Sequence, residues 1–196
     1  MKTHRGVLSL LGAAEREHRC AAPREESLRR ACHRRLRAGE LVSPYPGLYA
    51  DNGYWRNLNT EERSLHVIRG LAMKHPRWVF AGLSAACLHG FQHAYALHDG
   101  TVFIASRGAI TGKDHSSLRR IYMNDIPTWT YQRAISMTSP ARTLIDCASH
   151  PFPNALAIYD SALRMRVVDT NEIRALMLRA NCDETAVARL LRYADP

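Results

Sequence analysis

Residues 27–50, SLRRACHRRLRAGELVSPYPGLYA, constrain the fold more than any other stretch of the chain. Arg29, Arg30, Arg34, Arg35 and Arg37 crowd with His33 into eleven residues. At about 100° per residue, Leu28, Ala31, Cys32 and Leu36 share one side of a helix, while Arg29, Arg30, His33, Arg34 and Arg37 share the other. Arg35 falls near the apolar edge. Pro23 suits a first helical turn, and Glu25 and Glu26 suit the positive end of the helix dipole. Gly39 has the character of a C-terminal stop. A helix over 23–37 is predicted. Leu41–Ser43 and Leu48–Ala50 then flank Pro44-Tyr45-Pro46-Gly47, which predicts a hairpin.

Helix, basic helix, glycine and small hairpin is the order of a winged helix-turn-helix. Such a helix fits a DNA major groove, where arginine pairs with guanine edges or phosphate oxygens, and the hairpin meets flanking phosphates. The competing reading is a solvated charged face. Solvated faces usually mix signs in i,i+4 pairs, whereas this outward face reads as one-signed. The candidate DNA-facing residues are Arg24, Ser27, Arg29, Arg30, His33, Arg34 and Arg37, with Tyr45 on the hairpin.

Charge is unevenly placed. The 196 residues carry a net +9, and residues 1–50 hold ten Lys/Arg against five Asp/Glu, whereas residues 151–196 balance at six each. A basic stripe is the electrostatic footprint of nucleic-acid binding. Apolar content of 46% supports a sizeable core, and no apolar run approaches the roughly 18 residues needed to span a bilayer. The N-terminal MKTHRGVLSLLGAAEREHR has a short apolar patch at helical spacing, closed at once by Glu15, Arg16 and Glu17. It predicts a helix over 4–19 of a cytoplasmic protein rather than a signal peptide. Five dispersed cysteines, at 20, 32, 87, 147 and 182, form neither a disulfide framework nor a CxxC zinc pattern.

The expected architecture is α+β, with a winged helix-turn-helix domain over 1–52 and a mixed α/β domain over 53–196 that ends in helices. In the second part, Thr60-Glu61-Glu62 is expected to cap a helix to about Lys74. Ser84 is expected to cap Ala85–His89, with a stop at Gly90. Strands are expected at 101–105, 118–123, 128–132 and 135–137, and 78–80 reads as a short strand or a helix lead-in. Ser139-Pro140 predicts a capped helix through Ala148, and helices follow over 154–165, 170–179 and 183–193, with Asp169/Thr170 and Asp183 as caps.

A second basic tract, Ser106–Arg120, holds Arg107, Lys113, Arg119 and Arg120 among glycines and serines. It reads equally as a phosphate-binding loop and strand or as an edge strand protected by charge. His89 and His93 lie four apart, but Gly90 should end the helix between them and the glutamate of HExxH is missing, so no metal set is assigned. Gly82-Leu-Ser84-Ala-Ala86 lacks the final glycine of a nucleophile elbow. No nucleotide-binding glycine loop occurs. Asp146 and Asp160 are expected to cap helices or to bridge to arginines such as Arg142 or Arg164. These observations predict a non-enzymatic protein with no catalytic residues and no cofactor.

Three motifs in order resemble the AbiEi-type antitoxin family of type IV toxin–antitoxin systems. They are LRRACHRRLRAGELVSPYPGLYA, WVFAGLSAACLHGF at 78–91 and MTSPARTLIDCA at 137–148. The resemblance implies a cytoplasmic bacterial transcriptional regulator that binds repeats in its own promoter and represses it. It also implies counteraction of a nucleotidyltransferase-like toxin as partner. Two departures stand out. The family's helix before the recognition helix has no clear counterpart in Cys20–Glu26. Many relatives continue past an Ala-Asp-Pro like Ala194-Asp195-Pro196 into a nuclease domain. The alternative readings are a toxin-neutralising interaction protein with weak DNA binding, an orphan regulator, or the N-terminal part of a nuclease-bearing protein.

Overall fold

The computed structural model describes residues 2–108, 114–131 and 135–195. It is mixed α+β, with two sheets among the described residues. Packing divides the chain into two compact units, Met1–Pro76 and Arg77–Pro196.

The first unit begins with α1 (Lys2–Arg16), shorter than the predicted 4–19 because His18 turns the chain into positive φ. Ala21 bridges antiparallel to Tyr49, with reciprocal N–H···O bonds of 2.7 and 2.9 Å. The chain therefore runs through an extended bridge, not a helix, before α2 (Glu26–Arg37). The helix starts three residues after Pro23, which is itself buried. Gly39, at φ +75, closes α2; a Cβ there is strained whatever space surrounds it. β1 (Leu41–Tyr45) and β2 (Leu48–Asp51) form an antiparallel hairpin whose register breaks between Val42 and Tyr45, around Pro44. Pro has no ladder N–H to give, so a bulge accommodates it.

Val7, Leu11, Ala14, Ala21, Ala31, Cys32, Leu41 and Tyr49 make the core beneath α1, α2 and the hairpin. α3 (Asn52–Arg56) and α4 (Thr60–Lys74) complete the unit. The N-cap of α4 is Asn59, not Thr60. Its side chain accepts the Glu62 N–H at 2.9 Å, while Glu62 accepts the Asn59 N–H at 2.8 Å, a reciprocal capping box.

The second unit is a five-stranded mixed sheet in the order β5-β4-β3-β7-β6. The strands are β3 (Val79–Phe80), β4 (Val102–Ser106), β5 (Leu118–Tyr122), β6 (Thr128–Tyr131) and β7 (Ile135–Thr138). β3–β7 and β4–β5 are parallel; β3–β4 and β6–β7 are antiparallel. α5 (Gly82–His89) and α6 (Pro140–Cys147) pack together, α7 (Phe152–Arg164) and α8 (Thr170–Met177) pack on α6, and α9 (Glu184–Tyr193) packs on α7 and α8. Their shared core includes Phe91, Leu144, Ile158, Tyr159, Ile173 and Val187. Ser139, Asp169 and Asp183 cap α6, α8 and α9 as expected. Among the described residues, no helix is long and apolar enough to cross a membrane.

Candidate nucleic-acid interface

α2 buries Ala31 and Cys32 and leaves Arg24, Ser27, Arg29, Arg30, His33, Arg34 and Arg37 exposed in and before the helix. The predicted two-sided helix is therefore present. His33 is anchored: its Nε2 lies 3.2 Å from the Tyr49 hydroxyl, with the rings edge to face. The half-buried Arg35 turns aside to Glu40 at 3.8 Å.

The face is not one-signed, however. Glu26 lies three and four residues before two of the arginines and pairs with both. Its carboxylate takes Arg30 Nε at 3.0 Å and Arg29 at 3.0 Å. The hydrogen bond from Arg30, then the charge of Arg29, holds the Glu26 carboxyl below its usual range. These pairs are solvent-exposed, so screening leaves them weak and exchangeable for another anion. Among the described residues, the ion pairs of α2 engage Arg29, Arg30 and Arg35; Arg34 and Arg37 at its C-terminal end project without one.

Tyr45 is not a hairpin-tip contact. It is 6% exposed and pairs with Leu48 inside the hairpin, so its ring is core. The cation at the tip comes from elsewhere. Lys74, at the end of α4, donates from Nζ to the Pro46 carbonyl at 3.1 Å while remaining exposed. An ammonium has three donors, so two remain for an anion. Sequence reasoning missed Lys74 because it lies 28 residues beyond the turn it meets.

The second basic tract divides. Arg120 is tied to Asp114 by two bonds of 2.6 and 2.9 Å, so its charge is already neutralised. Arg107 and Arg119 are exposed, and Arg119 donates to the Ser116 carbonyl at 2.8 Å. Lys113 lies outside the described residues. β5 is an edge strand, which favours the charge-protected edge over a phosphate site.

The other candidates fall into structural roles. Ser84 lies inside α5, not at its cap, and its hydroxyl accepts the Phe103 N–H at 2.9 Å. His89 donates from Nε2 to the Thr138 carbonyl at 2.9 Å and stacks on Phe91. Asp146 pairs with Arg142 as expected. Asp160 instead accepts the Asp195 N–H at 2.9 Å. His93 does not join His89. Its Nε2 lies 2.7 Å from His98 Nε2 and 3.6 Å from Cys87 Sγ. Burial, then the neighbouring His93, pushes the His98 imidazole down to about 4.

No protein-family model, no curated protein and no solved structure matches this chain.

Proposed function

We propose that the chain is a DNA-binding transcriptional regulator whose first unit works as a winged helix-turn-helix. The single observation that carries this reading is the exposed arginine face of α2, backed by a core that fixes the helix against the hairpin. α2 enters the major groove. Arg34 and Arg37 meet phosphate or guanine directly, and Arg29 and Arg30 do so after exchanging Glu26 for the DNA anion. Lys74 and the hairpin tip meet the flanking backbone. Repression of its own promoter, and counteraction of a nucleotidyltransferase-like toxin, follow the antitoxin resemblance of the three motifs and belong to the same proposal.

The test is a fluorescence titration of the full chain against the DNA upstream of its own gene, beside an Arg34→Ala/Arg37→Ala double variant. If about five cations meet phosphates, the log–log salt slope is roughly −4.5, and affinity falls by between two and three orders of magnitude from 50 to 200 mM salt. The double variant should bind weakly and with a shallower slope. Equal binding by wild type and variant would reduce the arginines to a solvated face.

A further inference from the structure

Three ligand-type side chains converge in the second unit. Cys87 lies on α5, His93 in the irregular chain after Gly90, and His98 just beyond the short 3-10 turn Tyr95–Leu97. Their Sγ and ring-nitrogen atoms all lie within 4.8 Å of one another. Cys87 is buried, and the two histidines are half-buried and reachable from solvent.

His93 is held in one tautomer. Its Nδ1 lies 2.5 Å from the Phe91 carbonyl. A carbonyl only accepts, so Nδ1 carries the proton, and in the neutral ring Nε2 carries the lone pair. That Nε2 faces both the Cys87 sulfur and His98 Nε2. Orientation of a histidine by a backbone carbonyl through its other nitrogen is the usual support of a metal-ligating imidazole.

Two of the three spacings can be set beside those of a small tetrahedral ion, and the third lies within 4.8 Å. With metal–sulfur near 2.3 Å and metal–nitrogen near 2.0–2.1 Å, tetrahedral angles place sulfur and nitrogen about 3.5 Å apart and two nitrogens about 3.3 Å apart. Cys87 Sγ and His93 Nε2 stand at 3.6 Å. The two histidine nitrogens, at 2.7 Å, need to open by roughly 0.6 Å, within reach of an exposed turn.

We propose that Cys87, His93 and His98, in the pattern C-x5-H-x4-H, bind one zinc ion, with water at the fourth corner. One thiolate and two imidazoles favour zinc over magnesium or calcium, which prefer oxygen ligands. The ion pins residues 90–98, which otherwise hold no helix or strand beyond the 3-10 turn, onto the end of α5. This site is independent of the DNA-binding reading.

The experiment uses the full chain, stripped with a chelator under reducing conditions. Zinc is titrated in competition with a chromophoric chelator, and cobalt(II) is added in parallel as a spectroscopic probe. The expected result is uptake of one zinc per chain and a tetrahedral cobalt spectrum with a sulfur-to-cobalt band. Cys87→Ser should abolish that band. His98→Ala should weaken zinc by at least roughly 100-fold, the upper end of what outer-shell changes produce. His89→Gln, outside the cluster, should bind zinc like wild type. No zinc uptake, uptake of copper alone, or a cobalt spectrum lacking the sulfur band in wild type would overturn the proposal. Because the wild-type cobalt spectrum decides alone, misfolding of a variant leaves the test intact.

Discussion

Arg142 Nε donates to Asp146 Oδ1 at 2.9 Å, one turn along α6, with the two side chains only 5% and 2% exposed. Burial pushes the Asp146 carboxyl up to about 6 against the opposing pull of the Arg142 charge and hydrogen bond. The guanidinium is thus what keeps a buried carboxylate ionised near neutral pH. Arg142→Met leaves that carboxylate without its cation and should destabilise the chain by about 3–5 kcal/mol at pH 8. The loss should shrink toward pH 5, where the carboxyl accepts a proton. Urea unfolding at the two pH values measures both.

The same group sets a pH slope. Its folded value, about 6, lies above its unfolded value of 3.8, so between them the native chain holds a proton that the unfolded chain has released. The stability contributed by Asp146 is full below about 4 and is lost as pH rises through about 6. The stability difference between wild type and Asp146→Asn should therefore fall across that window, other groups cancelling. A flat difference would show that the carboxyl keeps an ordinary value.

Tyr159 is 0% exposed, and among the described residues its hydroxyl has no hydrogen-bond partner. Burial drives the phenol strongly upward. Tyr159→Phe removes an unsatisfied polar atom and keeps the ring, so thermal unfolding should show stabilisation of about 1 kcal/mol or more. A destabilised variant would mean that the hydroxyl is satisfied in solution.

Gly70 brings α4 close to the bridge and hairpin. A Cβ there would lie 3.1 Å from the Cys20 carbonyl oxygen, 3.1 Å from Leu48 Cδ1 and 3.2 Å from Cys20 Cβ. Alanine gains about 1 kcal/mol of helix propensity. The overpacking should outweigh it, for a net loss of about 1–2 kcal/mol. Equal or higher stability would show that α4 can retreat without cost.

Glu26→Gln frees Arg29 and Arg30 from their intrahelical anion. If α2 reads DNA, the variant should bind upstream DNA roughly two- to five-fold more tightly, as expected from exposed pairs of this kind. Weaker binding would assign Glu26 to positioning the arginines rather than competing for them.

Local signals read well from sequence, and long-range ones did not. The amphipathic split of α2, the Gly39 stop, the hairpin and the Ser139-Pro140, Asp169 and Asp183 caps each depend on neighbours within a few residues. Glu26 was legible too, since its partners lie three and four positions on, but the arginine count obscured it. Ser84 was misread because its hydroxyl partner is a strand N–H 19 residues away. Tyr45 was misassigned, and the two readings of Arg120 stayed open, for a shared reason: composition shows a ring or a charge, and only packing shows whether it is spent inward. Lys74 and the Cys87–His93–His98 cluster depend on where α4 and an irregular segment travel, which periodicity does not encode.

The clamp between Lys74 and the Pro46 carbonyl, with Gly70 seated against Cys20 and Leu48, bears on modularity. A fragment cut after residue 52 would carry the arginines but lose the helix that braces the turn beside them. Anyone excising the first unit should keep α4 with it, ending at Pro76, because the boundary is set by that brace and not by the last residue of the hairpin.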